Sequence, residues 1–214
     1  MLHASYDIRA VLFDLDGVLI DSYYAWFHQF QGTLRHFGHS PVSEHEFRKH
    51  WGQSTEDDVR IFMPERTVGE VKQYFYDHYD EYVQYLSMEP DADRVLHLIK
   101  ELKLRIGCVT NSHGPIVKET LRHFRLYRYF ETVVTADDVR TPKPSPAMIL
   151  HACQDLKTRP ERTVFLGDTA TDAAAASSAG CMFVGYRLNG EIRVDYLREF
   201  AVWLEGVIDM KEQH

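Results

Sequence analysis

Several things are scarce in this chain, and each scarcity removes a class of function. There are three cysteines, Cys108, Cys153 and Cys181, far apart and in no Cys-x-x-Cys spacing. Neither a disulfide scaffold nor a thiolate zinc site is expected from them, and a reducing, cytoplasmic setting follows. No apolar run approaches the roughly 18 residues that a membrane-spanning helix needs, and Met1 to Asp7 lacks the apolar stretch of a secretion signal. Basic charge is also scarce: 24 Lys and Arg face 32 Asp and Glu, for a formal net charge of -8. A chain of that sign is expected to bind neither nucleic acid nor an anionic membrane. Histidines are scattered. His36-x-x-His39 is the nearest approach to a metal pair, and with no third ligand close by it is read as a bystander.

What the chain does have is a hydrophobic fraction of 44% over 214 residues, enough for one domain with a large insertion or for two small domains. Its most telling stretch is Val11-Leu12-Phe13-Asp14-Leu15-Asp16-Gly17. An apolar run ends in two carboxylates with one residue between them, and a glycine follows. Val11 to Phe13 read as a buried strand stopped by the Gly17 turn. Side chains alternate along extended backbone, so Asp14 and Asp16 project to the same side. Two acids held together repel unless a cation or a shared proton intervenes. Taken alone, the pair could equally be a solvated turn.

Residues from about Ser22 to Met88 differ from the rest. They carry 15 of the 27 aromatic residues. Tyr23, Trp26, Phe27, Phe30, Leu34 and Phe37 recur at helical spacing behind Ser22, a candidate N-cap. Ser43-x-x-Glu46 and Thr67-x-x-Glu70 read as capping boxes. Ser54 could cap a short helix ending near Met63-Pro64, and Val68 to Leu86 read as one long amphipathic helix. The remainder alternates strand and helix: strands at 105–109, 132–135, 163–166 and 182–185, helices at 91–102, 115–124, 146–156, 171–179 and 193–210. Such alternation implies a parallel sheet covered on both faces. Ligands of such sheets bind at the carboxyl ends of the strands.

The residues at those ends fit together. The second strand ends in Thr110-Asn111-Ser112. Thr141-Pro142-Lys143-Pro144 follows the third, and Gly167-Asp168-Thr169-Ala170-Thr171-Asp172 the fourth. Carboxylates suit Mg²⁺, which prefers hard oxygen ligands. A hydroxyl and a backbone N–H suit phosphate oxygens, and a lysine between prolines offers a stiffly held charge. Each piece has an ordinary reading as a turn, a surface loop or a helix cap. All four in this order, each behind a strand, point to phosphoryl chemistry.

With these four motifs the chain resembles the haloacid dehalogenase superfamily of phosphohydrolases, more narrowly its phosphoglycolate phosphatase-like members with a helical cap. The resemblance implies an α/β fold: a three-layer, Rossmann-like parallel sheet with an inserted α-helical cap domain. Residues 1–18 and 89–214 would form the core and 19–88 the cap, with hinges near Val18 to Ser22 and Met88 to Pro90. It implies that Asp14 is the nucleophile, that Asp16 is the general acid and base, and that Lys143 offsets the charge gathered between them. Thr110, Asn111 and Lys143 would bind phosphate. Asp14, Asp16 (through its backbone carbonyl), Asp168 and Asp172 would hold Mg²⁺, and Gln53, Ser54, Thr55 and Arg60 would face the leaving group. The partner is expected to be a small phosphorylated metabolite, phosphoglycolate first, and the chain a monomer or homodimer.

Asp16 argues against a haloalkanoate dehalogenase, which lacks this second acid, and the cap turn at Trp51 to Thr55 lacks the lysine a phosphonatase uses. A beta-phosphoglucomutase-like transferase and an inorganic pyrophosphatase remain as alternatives. The mutase is the less favoured, because Trp26 stands where that family has a histidine. A different class is a phospho-acceptor signalling module without turnover, which would not carry a cap or a nucleophile on its first strand.

Overall fold

The computed structural model describes residues 7–190 and 192–212, with side chains described through residue 208. The first strand, β1 (Ala10–Phe13), is buried along its whole length. Its side chains alternate between two apolar clusters. Val11 and Phe13 pack in one, with Ile106, Cys108, Val164 and Leu166. Ala10 and Leu12 pack in the other, with Val109 and Phe165. A strand buried on both faces cannot alternate apolar with polar, which is why it reads as a continuous hydrophobic run.

The chain then leaves the sheet through β2 (Ile20–Asp21). It builds five helices, α1 (Tyr23–His36), α2 (Glu44–Lys49), α3 (Thr55–Phe62), α4 (Val68–Asp77) and α5 (Tyr79–Tyr82), and returns through β3 (Ser87–Met88). β2 and β3 pair antiparallel, Ile20 opposite Met88 and Asp21 opposite Ser87. The two connections anticipated as separate hinges are therefore one two-stranded ribbon. The helices share an apolar cluster of their own, built on Phe30, Leu34, Phe47, Val59, Met63, Val71 and Phe75, and Ile116 from outside the insertion completes it.

The rest of the chain runs α6 (Ala92–Glu101), β4 (Arg105–Thr110), α7 (Gly114–His123), β5 (Thr132–Thr135), α8 (Ala147–Asp155), β6 (Thr163–Gly167), α9 (Ala170–Ala179), β7 (Met182–Tyr186), β8 (Ile192–Val194) and α10 (Leu197–Glu212). Six strands form one parallel sheet in the order β5-β4-β1-β6-β7-β8. Helices α6, α7 and α10 cover one face, and α8 and α9 the other. Phe13 lies level with Cys108 of β4 and Leu166 of β6. The residues that follow these three neighbouring strands thus emerge along one edge, the expected place for a ligand.

Two expected helices are corrected. The long helix over Val68 to Leu86 breaks at His78, whose φ of -112° and ψ of 9° are not helical. The His78 ring stacks on Tyr74 at 3.9 Å and donates from Nδ1 to the Tyr74 carbonyl at 2.9 Å, which holds the bend. After it, α5 packs on α1. The final helix does not begin at Arg193: residues 192–194 form the edge strand β8, Ile192 opposite Val184. A three-residue strand shows no readable period, and pairing with β7 rather than local preference decides it. The three cysteines are free and buried. His39 pairs with Glu65 at 2.6 Å while His36 packs its ring on Tyr74, so the histidine pair is not a ligand set.

Candidate active site at the carboxyl edge of the sheet

Four segments converge beyond β1, β4 and β6. Asp14, 5% exposed, follows β1 and accepts from the Leu15 N–H at 2.8 Å. Lys143, 2% exposed, places Nζ 2.9 Å from Asp14 Oδ1, 2.7 Å from Asp172 Oδ1 and 3.0 Å from the Val109 carbonyl oxygen. Burial works against the Lys143 charge, but Asp14 and Asp172 outweigh it and hold the ammonium above its ordinary pKa. A buried cation this closely paired is mutually dependent on its partners, since losing either leaves an uncompensated charge.

The residues around Lys143 are fixed by a second device. The Asn111 side chain accepts from the Lys143 N–H at 3.0 Å and donates to the Lys143 carbonyl at 3.0 Å. It also donates to the Gly52 carbonyl in the helical insertion at 3.1 Å. Asn111 therefore clamps the lysine loop and the cap turn at once. Thr110, 1% exposed, accepts from the Ser112 N–H through its hydroxyl at 3.1 Å.

Asp14, Asp168 and Asp172 each offer a carboxylate oxygen within 4.8 Å of the others. Burial, with Asp172, Asp168 and Asp16 adding to it and Lys143 opposing, raises the Asp14 pKa well above the usual carboxylate range. Burial and the nearby Asp172 push Asp168 up to about 7. Asp168 Oδ1 is buried with no hydrogen-bond partner. An orphaned buried oxygen among carboxylates is costly, and hard oxygen donors in this arrangement fit a divalent cation such as Mg²⁺. Asp172 is committed twice over: Oδ1 faces Lys143, and Oδ2 accepts from Thr169 N at 3.0 Å and Thr169 Oγ1 at 2.5 Å in the capping box of α9. Gly167 to Asp172 thus caps α9 and, through the same Asp172, meets Lys143. Gly17 is required here, because it adopts φ +81° and a Cβ on it would collide with the Asp168 carboxylate.

Asp16 is held by a ring of donors. Ser22 Oγ at 2.6 Å and Trp26 Nε1 at 2.9 Å donate to its Oδ1, and Ser112 Oγ at 2.5 Å to its Oδ2. Ser22 stands at the N-cap of α1 as expected, but its hydroxyl serves Asp16 rather than the helix. Trp26, which replaces a histidine of the mutase pattern, supplies an N–H to the same carboxylate.

The helical insertion roofs a cavity above these groups. Gln53 and Thr55 line it, as do Trp26, His50, Trp51 and Asp58. Ser54 does not line it: its side chain caps α3, accepting from the Asp57 N–H at 3.2 Å. Arg60 also lies away from it, paired with Asp57 at 2.6 Å and largely exposed. Trp51 Nε1 reaches across to Asp168 Oδ2 at 3.2 Å. The roof turn is tight against the core, since a Cβ on Gly52, at φ +83°, would stand 2.6 Å from Thr169 Cγ2. Sequence reasoning missed Ser112, Trp51, His50 and Asp58 as wall residues. The signal for Ser112 was its place beside Thr110; Asp58 gave none, being one of three acids opening a helix.

A model of the haloacid dehalogenase-like hydrolase family matches residues 11–186. The chain belongs to that family of hydrolases, and its six-stranded parallel sheet flanked by helices is the fold of that family. It is 28% identical over 190 residues to a phosphoglycolate phosphatase of Chromobacterium violaceum, covering 84% of this chain and 86% of that one. It is 30% identical over 179 residues to the pyrophosphatase PpaX of Bacillus mycoides, covering 81% and 80%. Among solved structures, a HAD-superfamily hydrolase of subfamily IA from Geobacter sulfurreducens superposes with a TM-score of 0.70 at 28% identity, covering 95% of this chain and all of that one. No helix among the described residues is long and apolar enough to cross a membrane.

Proposed function

We propose that the chain is a Mg²⁺-dependent phosphatase that hydrolyses a small phosphate monoester through a phosphorylated Asp14. The observation that carries this reading is the buried Asp14–Lys143–Asp172 chain beside the orphaned Asp168 oxygen. Relatives named for phosphoglycolate and pyrophosphate support hydrolysis at phosphorus. Asp14, Asp168 and the backbone at Asp16 would hold the cation, with Asp172 behind them as the counter-charge of Lys143. When bound, Mg²⁺ would draw the substrate phosphate in and offset the repulsion among the carboxylates.

An Asp14 carboxylate oxygen attacks phosphorus while the bond to the ester oxygen breaks, and Asp16 delivers a proton to the departing alkoxide. Water then attacks the same phosphorus. Asp16 takes its proton, the bond to Asp14 breaks, and inorganic phosphate leaves. The hydrogen bonds from Ser22, Trp26 and Ser112 keep the Asp16 carboxyl aimed through both steps. Lys143 offsets negative charge at Asp14 throughout, and Thr110 with the Asn111 backbone receives the phosphate oxygens. The roof excludes bulk water from the reacting centre.

Phosphate release from purified protein with Mg²⁺ tests the reading, using phosphoglycolate, pyrophosphate, sugar phosphates and nucleotides. Turnover is expected on monoesters, and Asp14→Asn is expected to lower it by about 10⁴-fold. Retained turnover in Asp14→Asn would overturn the assignment. So would glucose-phosphate isomers that interconvert without net phosphate loss, or a long-lived phosphoprotein that releases none.

A further inference from the structure

The roof places a carboxyl group, Asp58, in the wall of the cavity. Asp58 lies in the first turn of α3, half-buried, and lines the cavity. It is held by a polar relay. Gln53 Nε2 donates to Asp58 Oδ1 at 2.5 Å, Gln53 Oε1 faces His50 Nδ1 at 3.2 Å, and His50 Nε2 faces Glu46 Oε1 at 3.3 Å. Both nitrogens of His50 are therefore engaged away from Asp58. Lys143 is the single lysine or arginine in the cavity wall among the described residues, and Asp14 and Asp172 already pair with it. Arg60, the nearest basic residue along α3, pairs with Asp57 at the surface. The rest of the roof is largely aromatic, with Trp26, Phe30, Phe47 and Phe75 in the wall.

On the phosphatase reading of this same site, we propose that Asp58 selects the alcohol half of the substrate. The preferred phosphate monoester has an alcohol that carries hydroxyl or ammonium hydrogen-bond donors and no negative charge. A donor reaching Asp58 returns to the carboxylate the solvation that burial removed. A substrate carboxylate would instead meet a like charge in a poorly solvated wall with no free cation beside it. Burial pushes Asp58 up to about 7, so the repulsion is read at about pH 8, where the carboxylate is ionised. The aromatic walls suit either the CH faces of a polyol or an ammonium head. Phosphoglycolate, whose leaving alcohol bears a carboxylate, is a poor fit.

The test compares kcat/KM with Mg²⁺ for three esters of similar size: glycerol phosphate, phosphoethanolamine and phosphoglycolate. At least one of the first two is expected to exceed phosphoglycolate by about tenfold or more. Which of the two leads distinguishes a polyol from an amino alcohol. Asp58→Asn is expected to shift the ratio toward phosphoglycolate by about tenfold, with the largest loss on the ammonium substrate if that one leads. Phosphoglycolate equal to or better than both others in the unaltered chain would overturn the proposal, and that arm needs no variant. A ratio unchanged within about twofold in Asp58→Asn would also overturn it. If no ester is hydrolysed, the phosphatase reading falls. The affinities of the chain for the same three esters with Mg²⁺, read by calorimetry, then decide the role of Asp58 separately.

Discussion

The floor and the roof of the cavity are held by different means. On the floor, Asp14 and Asp168 each follow directly on a strand and Thr110 ends one, while Lys143 and Asp172 come from the loop and helix start that follow; the sheet register sets β1, β4 and β6 level with one another. Its members are buried charges that need each other: Lys143 touches Asp14 and Asp172, and Asp172 also caps α9. On the roof, aromatic residues of α1, α2 and α4 fill in between the polar wall residues, and the polar ones come from the turn at His50 to Gln53 and the start of α3. They are positioned by single side-chain bonds, such as Gln53 to Asp58 and Trp51 to Asp168. The floor is a mutually dependent charge network, whose removal in part is costly. The roof is a set of separable contacts, each of which can change with modest loss.

The sharpest way to break that contrast is to delete one member of the floor. Lys143→Met keeps the length of the side chain and removes its charge, leaving Asp14 and Asp172 buried without a counter-charge. We expect a loss of about 3–5 kcal/mol in stability, or about 6–20 °C in melting temperature. Turnover should fall by about 10³-fold. A melting temperature within about 2 °C of the unaltered chain would mean that the floor is no more cooperative than the roof.

Metal and pH probe the same network without mutation. Burial raises the pKa values of Asp14 and Asp168, the latter from 3.8 to about 7. The metal-free folded chain therefore keeps protons that the unfolded chain has already released. The stability that Asp168 contributes is full below pH 3.8 and is lost as pH rises through about 7, and Asp14 changes in the same direction. A divalent cation favours the ionised carboxylates and opposes that loss. The gain in melting temperature on adding Mg²⁺ should therefore be larger at about pH 8 than at about pH 5.5, by several degrees. Equal gains at both values would argue that the cation does not bind among these carboxylates.

A smaller effect is expected where roof meets floor. Trp26→Phe removes the N–H that reaches Asp16 at 2.9 Å but keeps a ring against Phe75, whose centroid lies 5.5 Å away. Ser22 and Ser112 still hold Asp16. We expect kcat to fall about tenfold with KM nearly constant, because the aim of Asp16 matters when a proton moves. A rise in KM alone would instead show that Trp26 acts by touching the substrate and not through Asp16.

The same contrast explains what could be read without the structure. Floor residues were legible because a strand's alternation and a following glycine fix where the next carboxylate points, as at Asp14 and Gly17. Lys143, Thr110, Asp168 and Asp172 were each named from their place behind a strand, and the structure brings all of them to one point. The roof was not legible in the same way. Asp58 is the third of three acids that open α3, where Glu56 and Asp57 alone would suit the helix dipole. Ser54 reads equally as a helix cap and as a substrate contact, and the fold makes it the cap. Ser22 went the other way, from expected cap to partner of Asp16. The break at His78 and the strand β8 were hidden because each depends on a tertiary contact, not on a local period.

The smallest effect is expected at the rim. Lys72 of α4 bridges Glu56 of α3 at 3.0 Å and Asp137 of the core at 2.7 Å. Asp137 also accepts from Gly114 N at 2.9 Å and pairs with His113 at the start of α7. Lys72 thus ties the roof to the loop behind β5, outside the cavity, at a partly solvated position where an ion pair contributes little to stability. Lys72→Met should leave kcat nearly unchanged and raise KM about two- to fivefold, as a closed roof becomes slightly less favoured. Because salt screens partly exposed pairs, raising the ionic strength from about 0.05 to 0.5 M should raise KM in the unaltered chain more than in the variant. Identical salt dependence in the two would show that the rim pair does not help to close the roof, and would leave that to the uncharged and buried contacts, Asn111 to Gly52, Trp51 to Asp168, Tyr79 to Thr120 and the packing of Ile116.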